Sequence, residues 1–211
     1  MHVVEMPDVM RDHWWWRPGW RVGRSFYTWH FTFEGQPLMH SLRSHYLPAL
    51  EALPGLDPVA LSGLHLTTQG VGFTDEVDKR DIERITTRAR QHCAEIAPFD
   101  VTVGPAHVEP ETVKMLVQPA ERIIDVRIAL RTAIGDVWGE ERIPESMEGF
   151  RPHVTLAYSN SNGPSLGVVN AIAKLTPKSE QLKISTVSLI DLNRDNKRYE
   201  WSHIATIKLG S

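Results

Sequence analysis

His65-Leu66-Thr67 and His153-Val154-Thr155 repeat one tripeptide pattern in the two halves of the chain. Each stands where a strand is the natural reading: the first between Leu64 and Thr68, the second within Phe150 to Tyr158. In an extended strand, residues two apart point to the same face. Each His therefore shares a face with its own Thr, while Leu66 or Val154 points into a core. Two such units, well separated, predict a duplicated architecture in which two imidazoles and two hydroxyls converge on one cleft.

The rest of the chain can be arranged around these strands. Residues 1–25 read as an irregular arm rich in Trp and Arg. Phe26 to Phe33 alternates aromatic and smaller residues as a strand does. Pro37 opens a helix with Leu38, Leu42, Tyr46 and Leu50 at helical spacing. After the first motif, Thr74 is placed as an N-cap, with Asp75 and Glu76 in the first turn. Ile82, Ile85, Ala89 and Ile96 continue as an apolar stripe with Cys93 between. Phe99 to Val108 and Thr112 to Val117 read as a strand pair. Pro119 opens a further helix, and Gly135 to Gly149 reads as loop. After the second motif come a short helix over Val168 to Leu175 and two long strands, Leu182 to Leu192 and Tyr199 to Leu209. Asn193 to Lys197 joins those strands as a hairpin. Read as halves, the order is twice helix, motif strand, helix, strand pair. The fold expected is α+β, bilobal and pseudo-two-fold, with antiparallel sheets, helices on the outer faces and a central cleft. One two-lobed domain over 1–211 is expected. Its first lobe lies around 26–98 and its second around 119–211, with exchange of strands between them left open.

Composition narrows the function classes. The formal net charge of −3 is far from the basic balance of a nucleic-acid-coating protein. A single cysteine, Cys93, allows no intrachain disulfide and points to a reducing, cytoplasmic setting. No apolar run approaches the roughly 18 residues of a membrane span, and the N-terminus lacks the marks of a secretory leader. Ten histidines invite a metal reading, but none has ligand spacing such as H-E-x-x-H, and there is no C-x-x-C. No metal, cofactor or membrane partner is expected, and a monomer is the default.

The two motifs and the elements around them resemble the 2H phosphoesterase superfamily, which includes 2'-5' RNA ligases and cyclic phosphodiesterases. The resemblance rests on His65 through Gly72 followed by a helix, on Pro152-His153-Val154-Thr155-Leu156-Ala157, and on the closing hairpin with Tyr199-Glu200. It implies His65 and His153 as an acid/base pair and Thr67 and Thr155 as phosphate-binding hydroxyls. The implied substrate is a nucleotide or RNA-end phosphodiester, with a 2',3'-cyclic phosphate as first choice. RNA 2'-5' ligation, or a nucleotide-binding module of the same fold with little turnover, are the alternatives. Members often carry a basic residue two places after the first Thr and three places after the second. Here Gln69 and Tyr158 hold those places, and Gly70 stands where an aromatic often occurs.

The chemistry suits these residue types on its own terms. Cleaving a phosphodiester needs one proton taken from the attacking oxygen and one given to the leaving oxygen. Imidazole, with an unperturbed pKa near ~6.5, serves in either role. Hydroxyls aimed at the non-bridging oxygens stabilise charge that builds in the transition state. Further substrate contacts are expected from Gln69, Phe73, Arg151 and Tyr158. Trp16 and Arg24 are expected from the arm, which has three readings: packed on the core, a substrate lid, or an interfacial membrane contact. His30, His40, His45, His92, His107 and His203 are read as ordinary histidines.

Overall fold

Trp29, Phe31 and Phe33 are buried to 1% exposure or less, and they alternate with Thr28, His30 and Thr32. That period of two makes Phe26–Thr32 a strand with an apolar core face and a polar face left for the cleft. The computed structural model describes residues 6–210. Its strands are β1 (Val9–Met10), β2 (Phe26–Thr32), β3 (Leu56–Pro58), β4 (His65–Phe73), β5 (Phe99–Glu109), β6 (Thr112–Gln118), β7 (His153–Ser159), β8 (Gly163–Pro164), β9 (Glu180–Ile184), β10 (Thr186–Asn193) and β11 (Glu200–Lys208). Its α-helices are α1 (Pro37–Glu51), α2 (Lys79–Ala94), α3 (Ala120–Trp138) and α4 (Leu166–Ala173).

The two motif strands lie in different antiparallel sheets. One sheet has the order β11-β10-β2-β4 and the other β3-β7-β6-β5-β9; β1 and β8 form a small separate pair. Motif strand β4 pairs with β2, and motif strand β7 with β6. Helices are exchanged between the layers. The α2 helix packs on α3, and the pair leans on β11 and β4 of the four-stranded sheet. The α1 and α4 helices pack together against β9 and β5 of the five-stranded sheet. Neither half of the chain closes a lobe by itself, because β10 and β11, from the C-terminal end, complete the sheet that holds the first motif.

Three local expectations need correction. Leu182 to Leu192 is two strands that part at Ser185 and enter different sheets. Periodicity cannot register the crossing, because residues on both sides of Ser185 suit a strand. The α2 helix begins at Lys79 and not near Thr74, with Asp78 as its N-cap accepting from the Arg80 N–H at 2.8 Å. Thr74 is used instead to tie the arm, its hydroxyl 3.0 Å from that of Ser25. The α3 helix extends to Trp138, and Gly139 ends it at φ +91°, in the region favoured by glycine.

Among the described residues, no helix is long and apolar enough to cross a membrane.

Candidate active site

His65 opens β4 and His153 opens β7, and the two are set in the same way. The Nδ1 of each lies against the carbonyl two residues earlier: Gly63 at 2.7 Å and Arg151 at 2.8 Å. A carbonyl only accepts, so each Nδ1 carries the hydrogen and each Nε2 is left with its lone pair. Both rings line one cleft of about 280 Å³, together with Thr67 and Thr155. Burial is the main cause that pushes His65 down to about 4, and the charge of His153 adds to it. His153 is lowered too, first by burial and then by the Lys114 ammonium. Lys114 is itself held by Glu109 at 2.6 Å.

Immediately after each motif the strand carries one extra residue. On β4, His30 pairs with Thr67 and Trp29 with Gln69, so Thr68 has no opposite number. On β7, Lys114 pairs with Thr155 and Val113 with Ala157, so Leu156 has none. Each is a β-bulge, and each reverses the facing of the residues beyond it. The bulged carbonyls are both satisfied: Thr68 O accepts from Arg127 Nη1, and Leu156 O from the Val59 N–H at 2.8 Å. Because of the bulge, the second residue past each Thr turns to the core and the third to the cleft. The third residues are Gly70 and Tyr158, opposite Thr28 and Thr112, and both of those threonines line the cleft.

The bulges account for where Gln69 and Tyr158 stand. His65, Thr67, His153, Thr155 and Tyr158 share the cleft. Gln69 does not. It sits beside Trp29 on the core side, fully buried, donating to the carbonyls of Gly70 and Pro144 and accepting from Arg131 at 3.1 Å. Phe73 is packed beneath the Arg24 guanidinium, 3.7 Å from its ring centre, with Trp20 and Phe26 at its edges. Arg24 does not line the cleft; it clasps Asp75, Glu76 and the Gly19 carbonyl. Arg151 is exposed, and only its backbone carbonyl serves the site. Trp16 is 45% exposed and does not line the cleft.

Several cleft residues lie outside the set expected from the sequence. The arm contributes His13, Arg17 and Trp20, and the closing hairpin contributes Arg194 and Tyr199. His13 stacks on Tyr158 with centroids 4.3 Å apart, and its ring nitrogens meet Glu111 at 3.0 Å and the Tyr199 hydroxyl at 2.9 Å. Burial first, then Arg17, pushes His13 down to about 4. The neutral ring thus donates from Nδ1 to the carboxylate and accepts at Nε2 from the phenol. Tyr158 is held well above its usual range, chiefly by burial. Tyr158 and Tyr199 also form the wall of a second compartment of about 410 Å³, which Trp14 and Trp201 border. Only the mixture of Trp and Arg in the arm signals any of this. Nothing local marks Arg194, which lies in a segment that reads as a polar hairpin turn.

Known proteins support the architecture. The 2'-5' RNA ligase superfamily model matches residues 34–196. TT0787 of Thermus thermophilus superposes with a TM-score of 0.67 at 20% identity, covering 89% of this chain and 98% of that one. E. coli LigT complexed with 3'-AMP gives 0.64 at 17%, covering 89% and 99%. The MHV ns2 PDE domain gives 0.53 at 10%, covering 81% and 99%. No curated protein matches the sequence. The matched span leaves out the arm, β2 and β11, and with them His13, Arg17, His30 and Tyr199. It does contain both motif strands and the helices exchanged between their sheets, and on that match the chain belongs to the 2'-5' RNA ligase superfamily.

Proposed function

We propose that the chain is a phosphodiesterase using two histidines, without a metal ion, to open a 2',3'-cyclic phosphate or cleave a 2'-5' phosphodiester on nucleotides or RNA ends. One observation carries the reading: His65 and His153 are held alike through Nδ1, leaving both Nε2 lone pairs for one cleft beside Thr67 and Thr155. One imidazole takes the proton of the attacking water and the other returns a proton to the leaving ribose oxygen. The Thr hydroxyls donate to the non-bridging oxygens.

Burial keeps both rings neutral at neutral pH. A phosphate anion between them opposes that shift and favours one imidazolium. The substrate therefore helps to charge its own general acid. E. coli LigT has been solved with 3'-AMP, and a nucleotide is the ligand class proposed here. Ligation would run the same groups in reverse.

The test is hydrolysis of nucleoside 2',3'-cyclic phosphates and 2'-5'-linked dinucleotides, with 2'- and 3'-phosphate products resolved. His65→Ala and His153→Ala should each lower turnover by roughly 10²-fold or more. Wild-type turnover by either variant would overturn the two-histidine reading.

A further inference from the structure

Arg194 carries a buried charge with no carboxylate in direct contact, and Glu111 acts on it only from a distance. It is 3% exposed. Its Nη2 donates to the carbonyls of His13 and Trp15 at 3.1 and 3.3 Å. Its guanidinium lies 5.6 Å from the ring centre of Trp14 and 5.8 Å from those of Trp20 and Tyr199. Among the described residues, no acidic side chain forms an ion pair with it.

The carboxylates in and beside the cleft, Glu145 and Glu111, are already in use. Glu111 pairs with Arg17 at 2.7 Å and accepts from neutral His13. Glu145 accepts from the Gly70 N–H at 3.1 Å and faces Arg127 at 3.5 Å. The two cleft guanidiniums, Arg17 and Arg194, thus share one carboxylate. A buried cation without a counter-ion is costly, and such charges persist where a ligand completes them.

Both guanidiniums line the same cleft as His65, His153 and the two motif threonines. Arg194 is held at the arm and beside Tyr199, and Tyr158 links that group to the second motif: its hydroxyl interacts with that of Thr155, and its ring face carries His13. Along β7, and discounting the bulge at Leu156, Thr155 and Tyr158 are neighbouring cleft-facing positions, roughly 6–7 Å apart. We infer that Arg194 and Arg17 form a second anion subsite, which takes a phosphate of the substrate other than the one that reacts. The favoured substrate would then carry at least two phosphates, the second being either a terminal monoester or an internucleotide diester. The inference rests on the phosphodiester reading of the cleft for the identity of the anion. Charge alone requires only that an anion bind.

The experiment is binding without turnover, in the His153→Ala background. The probes are 2'-5'-linked adenylyl-adenosine with a 5'-hydroxyl, the same dinucleotide with a 5'-phosphate, and the 5'-hydroxyl trinucleotide. The protein should bind at least one of the two probes with an added phosphate ~10-fold more tightly than the plain dinucleotide. The phosphorylated dinucleotide leading would assign a terminal monoester, and the trinucleotide leading an internal diester. Adding Arg194→Gln should bring the ratio close to one, whereas Arg194→Lys should keep most of it. Glutamine can still bond the two arm carbonyls, so a purely structural role would leave the ratio intact. If Arg194→Gln fails to fold, Arg17→Gln is read in the same way. Equal affinity for all three probes, or an unchanged ratio in the glutamine variants, overturns the subsite. Failure of the phosphodiesterase reading would appear elsewhere, as absent hydrolysis by the wild-type protein.

Discussion

His30 lies flat against His65, with ring centroids 4.4 Å apart and planes 9° from parallel, while its Nε2 stands 3.1 Å from Thr67 Oγ1. One fully buried ring therefore supports both residues of the first motif. Burial holds His30 well below its ordinary value, so it is neutral and has one N–H. Its Nδ1 has no partner. An orphaned buried N–H is rarer than an under-used acceptor, so the hydrogen belongs on Nε2 and is donated to Thr67. The Thr67 hydroxyl hydrogen is then free to point at a phosphate. On β6, Lys114 holds the corresponding place opposite Thr155, so the pseudo-symmetry of the strands does not extend to their supports.

His30→Ala should lower kcat by roughly 10–100-fold, the usual range for removing a group that orients another. If the effect runs through Thr67, the double variant His30→Ala/Thr67→Ala should be little worse than Thr67→Ala alone. Steady-state kinetics on the four proteins decide it. Fully additive losses would mean that His30 acts independently of that hydroxyl.

Acid should destabilise the protein before its carboxylates titrate. His65 and His13 are each pushed down to about 4 in the fold, against about 6.5 when unfolded. Between those values the unfolded chain binds more protons, so stability falls as pH drops through the window and is fully present above it. Each ring contributes roughly 2–4 kcal/mol to that fall. Denaturant melts from pH 7 to pH 4 should show the slope, and His65→Asn should flatten it. An unchanged slope in that variant would mean that the ring is not held neutral.

Legibility in the sequence tracks local periodicity. The motif strands, their core residues Leu66 and Val154, and the pairing of β5 with β6 all come from an alternation that the residues themselves display. The bulges at Thr68 and Leu156 leave no such trace. Neither is glycine, and each is stabilised by a donor distant in sequence, Arg127 or the Val59 N–H. Counting by twos from Thr67 places Gln69 in the cleft, whereas the bulge turns it to the core. Arg24 and Arg17 are equivalent by composition. The path of the arm, with Gly19 at φ +83° and Gly23 at φ +78°, decides which of them reaches the cleft. His30 reads as ordinary because a lone histidine in a strand has no local signature, and its role arises only from the pairing of β2 with β4.

The arm should depend on Gly19. A Cβ there would stand 2.5 Å from Phe73 Cε2, and Arg24 covers that ring and leaves it little room to yield. The positive φ adds a cost of roughly 1–2 kcal/mol for an L-residue. Gly19→Ala should loosen residues 11–24 without unfolding the sheets. Amide exchange should rise in the arm and stay protected in β2 and β4. Protection retained throughout would mean that Phe73 moves aside at little cost.

Arg127 should matter more than any exposed arginine. It is 4% exposed, donates to the carbonyls of Thr68 and Ser146, and lies 4.2 Å from the ring centre of Phe150. Through Thr68 it fixes the bulge just after the first motif, and through Ser146 it holds the segment that carries Glu145 to the cleft. Arg127→Met keeps the apolar stem but leaves two carbonyls unanswered, one of them at the bulge. The expected loss is roughly 2–4 kcal/mol, read as a lower denaturant midpoint at constant m. Turnover should fall with it, because Thr67 directly precedes the bulge. Arg84, exposed and paired with Asp81 at 3.1 Å, is the control: Arg84→Met should change stability by no more than about 0.5 kcal/mol. Equal midpoints for the two variants would show that the bulge holds its shape without the guanidinium.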